Sequence, residues 1–329
     1  MVKTLAAIAG GESLLGREIH ELASAQFRLR VLGGEETGIA VIAQEDDELT
    51  VLARLEKENL KDAGVVVLAA SSIEVCREAL SLTPKKTPVI DARGLLDEVP
   101  GARLFRPGGE TARLMVIPAA ASQVLARLLT TLSIVQPVER SIVTILEPCS
   151  EWGQGGVAEL QSQSVSLLTF KPVTKKLFDA QLAFTMLAGF GEEAKPNLVE
   201  KEARIERHLA SLLASSSGPP LPSIRLIQAP VFHGYSMSVW VEFEKKSTRE
   251  KLEVALAKAG VDVRDESLEP PNNIGIAQQS GYAVGSIRAD GNNPRAFWMW
   301  LVADNVRVAA DAAVEAMKAI DGKAPGGKS

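Results

Sequence analysis

A few side chains in this sequence could do chemistry. They are two cysteines, Cys76 and Cys149, three histidines, His20, His208 and His233, and a glycine-rich turn, Gly10-Gly11-Glu12-Ser13-Leu14-Leu15-Gly16. A thiolate is a strong nucleophile and an imidazole a base near neutral pH, so a Cys–His pair is the first constellation to seek. Cys149 stands in Glu147-Pro148-Cys149-Ser150 and His233 in His233-Gly234-Tyr235-Ser236. In an extended segment His233 and Tyr235 point to the same side. Two readings follow: a relocated Cys149–His233 pair, or a small loop residue and a solvated turn residue with no oxyanion hole or substrate clamp beside them. Cys76 falls in the helical pattern Ile73, Cys76, Leu80 and reads as core, while His20 and His208 fall in helical patterns as structural or solvated residues. The histidines share no metal-ligand spacing, and two cysteines build neither a disulfide framework nor a structural zinc site. The acidic run Glu45-Asp46-Asp47-Glu48 lacks the alternate spacing of a calcium loop and reads as solvated surface.

The glycine turn lies between an apolar strand at 5–9 and a helical pattern from 14 onward. Its first and last glycines allow a tight turn and close approach of backbone N–H groups to a phosphate. Ser13 takes the place of the middle glycine and can cap the helix that follows. Glu12 sets a carboxylate beside the helix N-terminus, where it competes with a pyrophosphate for the same positive end. Glu36 lies 20 residues past Gly16, at the distance of the acidic residue that takes a ribose 2′-OH. With Glu35 it would repel a 2′-phosphate, so NAD is favoured over NADP. The turn thus either holds NAD, or caps its own helix and binds no nucleotide, with Glu35 and Glu36 a solvated turn.

These groups need a scaffold. The chain has 329 residues, 46% hydrophobic and 23% charged, enough for a buried core and about two domains. A net charge of −5 without basic runs disfavours nucleic acid and anionic membranes as partners. No apolar run approaches the ~20 residues of a bilayer span, and the N-terminus lacks signal-peptide features. Together these features predict a cytoplasmic protein. Short, mostly apolar runs at 5–9, 29–32, 65–70, 87–91 and 114–117, the third apolar throughout, are separated by helical patterns at 14–25 and 73–82 and predict a doubly wound parallel sheet. A strongly apolar helix at 120–133 leads into a second region. There, strands at 139–146, 224–232, 237–243, 282–288 and 297–302 and helices at 156–168 and 200–214 predict a mixed or antiparallel sheet backed by helices on one side. Residues 215–222 read as a loop, 305–320 as a last amphipathic helix and 323–329 as a flexible tail. Trp298 and Trp300 alternate with Phe297, Met299 and Leu301, which suits a core or a dimer interface better than a stacking platform.

Several segments resemble the aspartate-semialdehyde dehydrogenase family. They are the strand–glycine turn–helix start, Gly155-Gly156-Val157-Ala158-Glu159-Leu160-Gln161-Ser162-Gln163, Ala229-Pro230-Val231-Phe232-His233-Gly234-Tyr235-Ser236, Val284-Gly285-Ser286-Ile287-Arg288 and Trp300-Leu301-Val302-Ala303-Asp304-Asn305-Val306-Arg307. They occur in the family's order over nearly the whole chain. The resemblance implies an α/β protein with a Rossmann-like domain at 1–121 and 303–322 and a dimerisation and ancestral substrate domain at 122–302. It also implies a homodimer and, if a nucleotide binds, contacts from Gly10, Ser13, Gly16, Glu36 and Asn305. The family's reaction is the NADPH-dependent interconversion of aspartyl phosphate and the semialdehyde, through a cysteine nucleophile and a histidine acid/base.

The chemically demanding positions differ here. The family's Asn-Pro-Asn-Cys-Ser-Thr run corresponds to Ile117-Pro118-Ala119-Ala120-Ala121-Ser122, which puts Ala120 at the nucleophile position. Tyr235 stands where the family has its histidine, and a phenol with a reference pKa near ~10 is a poor base at neutral pH. The substrate-carboxylate arginine matches Gln228, the active-site glutamine matches Glu147, and the NADP-selecting arginine matches Glu36. The resemblance therefore implies a non-catalytic relative with a structural, regulatory or ligand-retaining role, without metal. An active NAD-dependent semialdehyde oxidoreductase with chemistry relocated to Cys149, His233 or Tyr235, and a heteromeric partner of a catalytic relative, are the alternatives.

Overall fold

The structure is a computed structural model that describes residues 3–33, 52–214, 218–265 and 267–322. It divides into two compact units, residues 1–119 with 309–329, and residues 120–308. Glu35, Glu36, the acidic run at 45–48, part of the 215–222 loop and the 323–329 tail lie outside the described residues.

The first unit is built on β1 (Leu5–Ala9), α1 (Leu14–Ala23), β2 (Arg28–Leu32), α2 (Lys57–Leu60), β3 (Val65–Leu68), α3 (Ile73–Leu82), β4 (Val89–Asp91), β5 (Ala102–Leu104) and β6 (Leu114–Val116). The strands form one sheet in the order β2-β1-β3-β4-β6-β5, and all its pairings are parallel. Strands buried on both faces are mostly apolar, and β1, β3, β4 and β6 are buried along their whole length, Asp91 at the end of β4 being their one polar residue. β2 and β3 flank β1 on opposite sides, so the strand order reverses there, and the glycine turn leaves the carboxyl end of β1 at that reversal. Cys76 lies in the core cluster against β3 and β4.

The second unit contains α4 (Ala120–Val135), β7 (Val138–Glu147), a short 3-10 turn (Cys149–Trp152), α5 (Gly153–Leu168), α6 (Leu198–Leu213), β8 (Ser223–Gln228), β9 (Tyr235–Phe243), α7 (Arg249–Lys258), β10 (Asp262–Arg264), β11 (Ala283–Ala289) and β12 (Ala296–Ala303). A last helix, α8 (Asn305–Asp321), starts in this unit and ends in the first. The sheet order is β10-β11-β12-β9-β7-β8. The outer pairs β10–β11 and β7–β8 are parallel and the inner pairs antiparallel, giving the expected mixed sheet. No helix among the described residues is long and apolar enough to cross a membrane.

Two expectations need correction. The strand expected over 224–232 ends at Gln228, because Pro230 cannot donate to a ladder and the chain bends through Phe232 and His233. Four short elements, α2, β5, α7 and β10, carry too few apolar residues to announce themselves; α7 buries only Leu252 and Leu256 in a charged stretch.

A single amide holds the segment after α5. Gln163 is fully buried. Its Nε2 donates to Glu159 Oε1, Thr174 O and Ala180 O, and its Oε1 accepts from Leu182 N and Ala183 N. Those backbone groups would be left unpaired by Gln163→Leu, at about 1–3 kcal/mol for each that stays buried. The variant should lose several kcal/mol in urea unfolding, whereas Gln161→Leu, two residues earlier on the exposed side of α5, should change stability by less than about 0.5 kcal/mol.

Candidate functional site

In the first unit the glycine turn is closed on itself. Gly10 N and Gly11 N both donate to Leu32 O, and Ser13 N donates to Gly10 O. Ser13 Oγ accepts from Gly16 N at 2.9 Å, capping α1, and donates to Ala69 O at 2.8 Å. Gly10 has φ +77°, and a Cβ there would come within 2.4 Å of Ala70 N; a Cβ on Gly16 would come within 2.4 Å of Gly10 O. The glycines are thus needed for the turn itself, with or without a ligand. Half-buried Glu12 adds a carboxylate in the same turn. A dinucleotide pyrophosphate needs free N–H groups and a positive helix end. Here four of the N–H groups are already bonded within the turn and to β2, and an acid sits beside the rest.

In the second unit, four of the residues singled out from sequence converge at the carboxyl ends of β7 and β8. Glu147 ends β7 and Gln228 ends β8, and the two are register partners. Both are fully buried, and so is Cys149, which opens the 3-10 turn. Cys149 N donates to Val231 O and Ser150 N to Phe232 O, so this turn runs beside the segment that carries His233. Buried Asn305 locks the arrangement: its Oδ1 accepts from Gly234 N at 3.1 Å and its Nδ2 donates to Ser150 Oγ at 3.1 Å. Its amide thereby ties the Gly234 bend to the 3-10 turn.

The buried carboxylate of Glu147 is answered by a residue that sequence reasoning missed. Lys201 Nζ, on α6, lies 2.8 Å from Glu147 Oε1 and 2.7 Å from Glu151 Oε2. The same ammonium sits 4.3 Å from the centre of the Trp152 ring, a cation–π contact inside a largely desolvated site. Trp152 in turn donates its Nε1 to Gln228 Oε1 at 2.7 Å. Gln228 Nε2 donates to Glu147 O, Ala229 O and Cys149 Sγ. Phe178 and Phe190 meet the Trp152 ring edge-on and seal it. In the sequence Lys201 sits in Glu200-Lys201-Glu202, which looks like a solvated helix face.

This network makes poor nucleophiles. Burial, with the Glu147 and Glu159 carboxylates nearby, pushes the Cys149 thiol up to about 12, so it is neutral at physiological pH. Its sulfur makes polar contacts with Gln228 Nε2 at 3.4 Å and Ala229 O at 3.9 Å, and none with His233 among the described residues. The extended segment expected to put His233 and Tyr235 on one side is broken at Gly234, where φ is +82°. Tyr235 is buried as the first residue of β9, while His233 is half-exposed in the bend. Ala120 begins α4, where a positive helix end would lower a thiol's pKa, but it offers only a methyl group. No group of three or more His, Cys, Asp or Glu that could hold a metal ion occurs among the described residues.

Comparison with known proteins places this scaffold. The family described as semialdehyde dehydrogenase, dimerisation domain, matches residues 130–308. A USG-1 protein homolog from Pseudomonas aeruginosa is 34% identical over 197 residues, 59% of this chain and 56% of that protein. The chain spans about half the length of the first curated relatives it matches. A solved structure of a probable aspartate-semialdehyde dehydrogenase from Pseudomonas aeruginosa is 25% identical, with a TM-score of 0.83 over 98% of this chain and 99% of that one. An aspartate semialdehyde dehydrogenase from Candida albicans, solved with NADP, is 15% identical, with a TM-score of 0.66 over 98% of this chain and 99% of that one.

Two measurements probe the network. Lys201→Met removes the cation that faces the fully buried Glu147 carboxylate and should cost about 3–5 kcal/mol in urea unfolding, with Glu147→Gln/Lys201→Met recovering most of it. In alkylation with iodoacetamide, Cys149 should stay unmodified in the native protein from neutral pH upward and react once urea exposes it. Native labelling at pH 7 would contradict a sealed thiol.

Proposed function

From the premise that this chain belongs to the semialdehyde dehydrogenase family, we propose that it is an aspartate-semialdehyde dehydrogenase-like protein that has lost catalysis and serves a structural or regulatory role as a homodimer. The observation that carries this reading is Ala120. The residue at the head of α4, where the family resemblance sets the acyl-accepting sulfur, has a side chain that cannot form a thioester.

Three further features support it. The other thiol near the site, Cys149, is buried and neutral. Gln228 and Glu147, at positions where the family binds an anionic substrate, are bound instead to Trp152 and Lys201. Tyr235 is buried at the histidine position. The reading extends to the cofactor. A self-capped turn and a committed Asn305 amide argue against a dinucleotide, although a relative of the same fold was solved with NADP. Cys76 and Cys149 are not joined in a disulfide, which agrees with a reducing, cytoplasmic setting. The description of the matched family as a dimerisation domain supports the homodimer.

The test is direct. Purified protein given aspartate semialdehyde, phosphate and either NADP or NAD should show no reduction of the nucleotide above a protein-free blank. Calorimetric titration with each nucleotide should show no binding heat. Turnover that disappears in Cys149→Ser would overturn the proposal in favour of relocated chemistry, and tight NAD binding would overturn its cofactor part.

A further inference from the structure

Helices α4 and α7 of the second unit pack against each other, and a cleft of about 640 Å³ opens between them. That volume falls in the range of binding clefts, roughly 300–1,000 Å³. Its α4 side is lined by Thr131, Ile134 and Val135, which the spacing of a helix sets on one face. Thr131 stands 11 residues beyond Ala120, about 16 Å along the helix axis, so the cleft lies apart from the head of α4. The space exists because α7 meets it with small side chains. Ala255 and Ala259 each offer one methyl group where a larger residue would fill it.

The α7 side carries a stripe that is cationic at both ends and apolar between. Lys251, Val254, Ala255 and Lys258 all line the cleft, at positions i, i+3, i+4 and i+7 of one helix face. Two turns of helix set the lysines about 10 Å apart along the axis. Both are exposed, and neither has an ion pair among the described residues. The other charges of α7 are answered locally. Arg249 pairs with Glu253, and Glu250, the acid of the lining, sits in the first turn, where the positive helix end and Arg249 balance it. Ile134 is 81% exposed and Val254 52% exposed. Single exposed apolar side chains are ordinary, but these two flank one concave cleft edged by unpaired cations.

We propose that this cleft takes one amphipathic helix of a partner protein, whose inward stripe reads acid, apolar, apolar, acid at the same spacing. The inference goes beyond the loss of catalysis and does not depend on it. Shape favours this occupant. Two helix faces side by side form the groove into which a third helix packs, at 8–10 Å between axes, with anchors at i, i+3, i+4 and i+7. Charge favours it as well. Lysines seven residues apart match carboxylates seven residues apart on a helix lying alongside, which fixes register and excludes basic partners. A ligand with a single anionic group would leave one ammonium unanswered. A two-fold contact of this patch with itself would set the lysines of one copy against those of the other.

Fluorescence anisotropy with a labelled synthetic peptide tests the proposal on the full chain. The peptide is two repeats of Glu-Ala-Lys-Leu-Leu-Gln-Ala closed by a further Glu, with both ends blocked. Its control exchanges every Glu for Lys and every Lys for Glu, keeping the apolar stripe. The wild type should bind the first peptide about 10-fold more tightly than the control, and the preference should shrink as salt rises. Lys251→Glu/Lys258→Glu should reverse the preference, an outcome that a misfolded variant would not produce. Val254→Asp should weaken both peptides about 10-fold, and Val199→Ser, exposed on α6, should change neither. No saturable binding of either peptide, or a preference that survives the double charge reversal, overturns the proposal. So does a different occupant: dodecanoate bound where neither peptide binds, or self-association of the wild type that Val254→Asp abolishes.

Discussion

The second unit depends on how a fully buried carboxylate is neutralised. Glu147 ends a central strand with no exposure to water, and a charge in that position is tolerated only with a partner in good geometry. Lys201 supplies it from α6, and the demand spreads outward from there. The ammonium needs a second acid, Glu151, and a π face, Trp152; the indole needs an acceptor, Gln228; the Gln228 amide needs acceptors of its own and finds Cys149 among them. Each link fixes the rotamer of the next. The chain of contacts occupies the strand ends where an α/β enzyme would keep its substrate groups free.

The polar groups at these strand ends turn inward, to partners within the second unit. The glycine turn in the first unit follows the same logic on a smaller scale. Its serine hydroxyl caps the helix and its amides bond to the neighbouring strand, so groups that elsewhere meet phosphate oxygens serve the fold. Inward-facing satisfaction of this kind stabilises the scaffold, because a donor already bonded in low dielectric gains little from exchanging partners.

Much of the architecture was legible in the sequence. Strands buried on both faces must be apolar throughout, and β1, β3 and β6 stand out for that reason. Alternating burial marked β9, and the spacing of Leu15 and Ile19 marked α1. Legibility failed where stabilisation comes from a few contacts rather than a pattern. α7 rests on two leucines, and the end of β8 was overrun because a single proline decides it. For the site, family positions pointed to Glu147 and Gln228 and residue type alone to Cys149, but neither showed what they would touch. Lys201 lies 54 residues after Glu147, and nothing local in Glu200-Lys201-Glu202 separates a half-hidden ammonium from a solvated one. Likewise the sequence could offer Trp298 as core or interface, whereas the acceptor that it shares with Trp240 at Asp290 emerges only when β9 and β12 lie side by side.

The division of the chain has a bearing on how the protein is made. The second unit is one continuous stretch, whereas the first is assembled from two stretches separated by that whole stretch, with α8 crossing from one unit into the other. During vectorial synthesis the parallel sheet of the first unit emerges from the ribosome early but must wait for its closing helix until everything in between has been translated. The later-made unit can reach its native state without delay, so the order of completion runs opposite to the order of synthesis. For that interval the nascent sheet lacks its last helix, and a chaperone that shields open apolar sheets would find its client there.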